Sequence, residues 1–153
     1  MLPGKRQQIV DAVKARFALI TTANGYQTDI GLKQTEWNPG PRGADPEADE
    51  LPGHDIRDED EATIITDKNR GVYERQLEIV ALGYVKEAGD GAALTRKALE
   101  DMIKAVGVDP TWGGLARRTL PDTEGIAVDE LGQRVGVAHL KFKVEYSRRP
   151  WEA

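Results

Sequence analysis

The chain has 153 residues, 39% of them hydrophobic and 31% charged, and 21 bases against 26 acids leave a net charge of −5. That length fits one domain able to bury roughly 68–70% of the surface its unfolded chain exposes, which excludes a large two-domain enzyme. No apolar stretch approaches the ~20 residues of a bilayer span, Lys5 and Arg6 are not followed by the apolar core of a signal peptide, and the absence of cysteine excludes disulfides, thiol nucleophiles and Cys-ligated zinc while suiting a reducing compartment.

Residues 5–20 carry Ile9, Val13, Phe17 and Ile20 on one stripe of a 3.6-residue period, which predicts an amphipathic helix. Asn24-Gly25 predicts a turn, and a short strand is expected over 29–37. From 38 to 53 the chain is rich in Pro and Gly, so a long loop is expected there; a loop of that length is functional or mobile. The acids cluster in and just after it. Residues 45–67 hold ten acids and one base, Arg57, so the segment carries −9 and the remainder +4. Its composition predicts a Pro/Gly-rich acidic insert at about 38–61, mobile in the free subunit because little apolar surface offsets the entropy of ordering it.

Residues 62–66 read as a strand around Ile64 and Ile65, and 72–86 as a long strand. On the latter, Tyr73, Leu77, Ile79, Ala81 and Val85 share one face and Val80, Leu82 and Tyr84 the other. A second helix is expected from an Asp90 N-cap to Val106, burying Leu99, Met102, Ile103 and Val106 and ending at an αL Gly107. Residues 109–114 form a Gly-rich loop around Trp112. Two short strands are expected on either side of Pro121, at 115–120 and 126–128. A last strand at 135–147 turns Leu140, Phe142, Val144 and Tyr146 one way and His139, Lys141, Lys143 and Glu145 the other. The order α, β, β, β, α, β, β, β predicts a single α+β domain over 1–153, with a largely antiparallel sheet and two helices packed on one face.

No phosphate loop, dinucleotide fingerprint, HExxH or EF-hand spacing is present. Ser147 is the only serine and lies in a basic segment without a nucleophile elbow. A general base built from His54 with Asp55 or Asp58 is the one catalytic pairing the spacing permits. The run Asp58-Glu59-Asp60-Glu61 suits a hard cation in chemistry, but consecutive acids on an extended chain alternate sides, so a solvated charge run is the reading here. No catalytic, cofactor-binding or metal-ligating residue is therefore assigned. Trp37 and Trp112 each have two readings, a plug for the chain's own core or an anchor for a subunit contact. Arg117, Arg118, Lys141, Lys143, Arg148 and Arg149 form a basic patch without interleaved aromatics, which argues against base readout.

The opening helix over 6–16 leads into Ile20-Thr21-Thr22-Ala23-Asn24-Gly25-Tyr26-Gln27-Thr28-Asp29-Ile30-Gly31. This combination, Asp109-Pro110-Thr111-Trp112-Gly113-Gly114-Leu115-Ala116 and the closing Phe142-Lys143-Val144-Glu145-Tyr146 resemble the bacteriophage tail terminator, or minor tail protein U-like, family. The resemblance spans most of the chain outside the acidic insert and rests on structural motifs. It implies a non-enzymatic virion protein, made in the host cytoplasm and placed at the head-proximal end of the tail. Such a protein forms a hexameric ring of its own copies on the tail tube protein, ends tube polymerisation, presents a joining surface to the head connector or neck protein, and lets DNA pass without sequence-specific binding. No cofactor or membrane is implied. A head–tail connector or neck protein is the alternative within this class; a small enzyme using His54 and neighbouring carboxylates, or a host-encoded binding module, belongs to other classes. In a ring, Trp37, Asp58, Glu59, Asp60, Glu61, Trp112, Arg117, Arg118 and Lys141 are the candidate subunit or partner interface, with the acids either facing the bases of a neighbour or lining the bore.

Overall fold

A computed structural model describes residues 3–38, 51–67, 71–129 and 134–152. Helix α1 (Lys5–Phe17) is followed by 3-10 turns at Thr22–Asn24 and Ile30–Leu32 and by a three-residue strand β1 (Gln34–Glu36). Two long strands, β2 (Gly53–Asp67) and β3 (Val72–Lys86), precede helix α2 (Ala93–Val108), and strands β4 (Arg118–Asp129) and β5 (Val135–Arg148) complete the fold. The five strands form one sheet in the order β1-β2-β3-β5-β4. Among the described residues only the β1–β2 pair is parallel. The chain is an α+β domain with a largely antiparallel sheet.

The core follows the predicted periodicities. Ile9, Val13, Phe17 and Ile20 are fully buried along one stripe of the first helix and the turn after it. In the β3–β5 ladder, Leu77, Ile79 and Ala81 stand opposite Val144, Phe142 and Leu140, and all six are buried. They merge with α1 and α2 residues into one cluster, so both helices cover the same face of the sheet.

Several elements depart from the expectation. The strand predicted over 29–37 shrinks to Gln34–Glu36, because Ile30 turns into the core and Gly31 packs against the chain leaving α1. The loop expected over 38–61 is a strand from Gly53 onward, continuous with the strand predicted at 62–66. Ile56 anchors that stretch in the core, and its acids find bases, Asp55 at Arg57 of the same strand and Asp58 and Glu61 elsewhere in the chain. Residues 39–50 of the insert lie outside the described residues. The two short strands expected around Pro121 are one strand, β4; Pro121 is accommodated because β4 is a sheet edge and its pairing shifts register between Pro121 and Glu124.

Helix α2 is rotated from its predicted face. It buries Thr95, Ala98, Asp101, Met102 and Ala105, leaving Ile103 43% exposed. Asp101 accounts for the rotation: its carboxylate accepts the backbone N–H groups of Gln27 (3.0 Å) and Thr28 (2.7 Å) and the Thr28 hydroxyl (2.6 Å). A helix can turn a carboxylate inward when those donors satisfy it. The helix starts at Ala93 rather than after an Asp90 cap, and its orphan donors are met from outside, where Glu87 accepts the backbone N–H and hydroxyl of Thr95, both at 2.7 Å. Gly107 lies within the helix, which runs on to Val108.

Gly31 is a site of close backbone approach. Its N–H donates to the Ile20 carbonyl at 2.8 Å, and a Cβ there would stand 2.7 Å from the Ala18 and Ile20 carbonyl oxygens. Gly31→Ala is expected to destabilise the fold by about 1–3 kcal/mol, as overpacking does. Gly89→Ala, where a Cβ meets nothing within 4 Å, is expected to be neutral; urea unfolding of the two variants measures the contrast.

Candidate functional site

The acidic run lies where β2 bulges. Asp58 pairs with Ile79 and Glu61 with Leu77, so Glu59 and Asp60 together face a single residue of β3. The bulge sends the four acids in different directions. Asp58 turns toward α1, where Arg6 Nε donates to it at 2.8 Å and the Trp37 indole at 3.0 Å. Burial opposes the Asp58 charge, but those hydrogen bonds outweigh it and hold the carboxyl below its ordinary range. Glu59 lies 3.8 Å from Lys141, and Asp60 is exposed. Glu61 is held by Arg75 at 3.0 Å, Arg148 at 3.3 Å and the Tyr146 hydroxyl. Burial again works against the charge on Glu61, and these donors prevail, lowering its carboxyl; burial, together with the bond to Glu61, raises the Tyr146 phenol. The run does not converge on a point, and among the described residues no group of three His, Asp or Glu is placed to hold a metal ion.

Among the described residues, five of the six bases of the predicted patch, all but Arg149, have carboxylate partners within the chain. Lys141 sits 3.5 Å from Glu78 as well as near Glu59. Arg117 reaches Glu74 at 3.0 Å, and Arg118 donates to Glu145 at 2.7 Å. Glu145, expected on the polar face of the last strand, is buried; the hydrogen bond from Arg118 lowers its carboxyl against the opposing effect of burial. Arg117, Arg118 and Lys141 therefore belong to a ladder of cross-strand ion pairs on the helix-free side of the sheet, where the solvent-facing pairs of Lys141 and of Arg117 with Glu74 contribute about 0–1 kcal/mol each.

His54 is not in a loop but in β2, 1% exposed. Its Nδ1 lies 2.6 Å from the Ile30 carbonyl and its Nε2 2.9 Å from the Gln34 side-chain nitrogen. A carbonyl only accepts and an amide nitrogen only donates, so Nδ1 carries the proton, Nε2 accepts, and the ring is neutral. Asp55 points to the other face of the strand, where it takes the Thr35 hydroxyl (2.6 Å), the Asn38 N–H (3.0 Å) and Arg57 Nε (2.7 Å). The His54–Asp55 pair allowed by spacing is thus split across the sheet, and Asp58, four strand residues from His54 on the same face, is taken by Arg6 and Trp37 instead. His54 and Asp55 both act as internal fasteners, tying β1 and the turn before it to β2.

The three tryptophans all have positive φ: 51° at Trp37, 53° at Trp112 and 62° at Trp151. Trp112 plugs the core at 1% exposed, stacked on Phe142 at 6.0 Å with Arg16 4.1 Å above its ring and its indole N–H on the Thr119 hydroxyl at 2.8 Å. Of its two readings the core plug is the one observed, and it presents no surface to a neighbour. Gly113 and Gly114, at φ 72° and 86°, supply the left-handed turn that delivers it. Asp109 fixes the same loop: the Thr111 hydroxyl and the Gly113 and Thr111 N–H groups hold its carboxyl down to about 2. Trp37 is 50% exposed, bonded to Asp58 and 5.8 Å from the Arg57 guanidinium. Trp151 was not singled out by sequence pattern, though an aromatic beside Pro150 in a polar segment is a signal that could have marked it.

His54 gives the fold a pH limb. Burial pushes its pKa below the ordinary value, outweighing the bond to Ile30. The folded state then prefers the neutral ring, so this stabilisation is complete above the unfolded pKa of about 6.5 and is lost as pH falls below it. Urea unfolding between pH of about 7.5 and 5.5 is expected to show stability falling with acid at up to about 1.4 kcal/mol per pH unit, the one-proton limit. His54→Gln is expected to remove that slope.

No known protein family matches the chain, and no curated protein matches it either. Among the described residues no helix is long and apolar enough to cross a membrane.

Proposed function

We propose that the chain is a phage virion structural protein that caps the tail tube as a ring of its own copies, ends tube polymerisation and forms the joining surface to the head connector. The observation that carries this reading is the one-sided sheet. Two helices cover one face, while the other remains a broad ionic ladder of Glu59, Lys141, Glu78, Arg118 and Glu145. A subunit with two unlike broad surfaces suits a heterologous contact that closes by rotation.

The motifs behind the family resemblance also form the framework of this shape. The opening helix supplies the core stripe, 109–116 seats Trp112, and Phe142 to Tyr146 is the centre of the long ladder. The buried polar groups His54, Asp55, Glu87, Asp101 and Glu145 are engaged with partners inside the fold. The sheet edges suit contacts made through faces. β4 carries Pro121, Asp122 and Glu124, and β2 beyond Ile56 carries two bulges and Asp60, so edge-to-edge joining would bring like charges together.

Tail tube protein polymerised with and without the purified chain tests the proposal. Tubes of bounded length with density on one end, seen by negative-stain microscopy, are the expected result. Unchanged length distributions and bare ends would overturn it, and binding to the connector without any effect on tubes would assign the chain to the neck.

A further inference from the structure

Trp151 stands apart from the other two tryptophans. Trp37 and Trp112 offset their left-handed backbone with an indole hydrogen bond and a cation near the ring. Trp151 has the same backbone strain, yet it is 98% exposed and its indole makes no hydrogen bond among the described residues. It is also held outward: Arg148 Nη1 donates to the Glu152 carbonyl at 2.8 Å, and the Glu152 N–H donates to the Arg149 carbonyl at 3.3 Å. The exposed Arg149 has no ion-pair partner among the described residues. A constrained indole beside an unmatched cation is an anchor whose own chain does not receive it.

A receiving surface exists elsewhere on the same fold. Between α2 and β4 an open groove of about 220 Å³ is walled by Ile103, Val106 and Pro121 and floored by Leu140 and Phe142. The rotation of α2 imposed by Asp101 leaves Ile103 there, and the register shift after Pro121 opens the β4 side. The size suits an aromatic ring, since a dry cavity of about 150 Å³ takes up benzene. Glu124 stands on its rim, exposed and without an ion-pair partner among the described residues. The groove floor at Phe142 and the end of β5 at Arg148 are six strand residues, roughly 20 Å, apart. Trp151 lies at that far end, beside Thr63 and Tyr73.

We infer that Trp151 of one copy docks into the α2–β4 groove of the next, with Arg149 against Glu124 on the rim. The anchor and the groove are different patches, one beyond the end of β5 and the other against its middle, so the contact is head-to-tail and propagates around a ring or along a filament. The occupant is a second copy of this chain because the unmatched cation and indole of the one patch complement the unmatched carboxylate and apolar groove of the other. This deepens the ring reading and rests on it.

Sedimentation velocity on the full chain across a concentration series tests the contact. All the altered side chains are exposed, so folding is spared. Trp151→Ala is expected to weaken association by about 30-fold, to which the loss of a hot-spot anchor worth about 2 kcal/mol converts. Arg149→Glu and Glu124→Arg are each expected to weaken it, and the two together to restore it. Association that persists unchanged in Trp151→Ala and in both charge reversals would overturn this contact while leaving a ring built from other surfaces. A wild-type chain that stays monomeric at every concentration would also overturn it, and the tube-capping experiment would then decide the ring reading separately.

Discussion

Two helices can cover only one face of a five-stranded sheet, and most of the structure answers to that constraint. The covered face is aliphatic and aromatic, with Leu77, Ile79, Phe142 and Val144 at its centre. The uncovered face meets water along two strands of 15 and 14 residues. It does so with cross-strand pairs of opposite charge, which keep long strands soluble without turning the face into a second core. Lys141 between Glu59 and Glu78, and Arg118 on Glu145, are what such a face requires.

The acidic character of the chain takes a different meaning once partners are visible. Asp58 and Glu61 are bound to Arg6, Arg75 and Arg148, residues that lie as many as 87 positions away in sequence. Asp55, Glu87, Asp101 and Glu145 are buried because each accepts from two or more donors. Removing one partner of such a group leaves an uncompensated buried charge, which costs far more than an exposed pair contributes. These carboxylates therefore specify which turn meets which helix, a role that apolar contacts alone perform less selectively.

Where periodicity alone decides burial, the fold was legible from residue order. The stripe Ile9, Val13, Phe17, Ile20 and the alternation along 72–86 and 135–147 each identify their element and its inward face. Elements whose burial depends on a distant donor were not legible. Near the start of β2 stand His54 and Asp55, which resemble loop residues until Ile30, Gln34 and Thr35 are brought beside them. α2 faces inward along Asp101 rather than Ile103 because Gln27 and Thr28 supply the N–H groups. The candidate interface divides the same way. Exposed Trp37 and Asp60 remain surface groups, whereas Trp112 was drawn into the core by a glycine-borne turn and the Arg16 guanidinium.

That guanidinium does more than cover Trp112. Arg16 belongs to α1, yet its Nη1 donates to the Ala105 carbonyl at 3.3 Å and to the Asp109 carbonyl at 2.6 Å, at the end of α2 and just beyond it. One helix thus satisfies the orphan acceptors of the other across 93 positions of chain. The first helix cannot swing away without baring the end of the second, loosening the 109–114 loop and wetting the indole beneath. Through Arg16 the opening of one helix is coupled to that of the other.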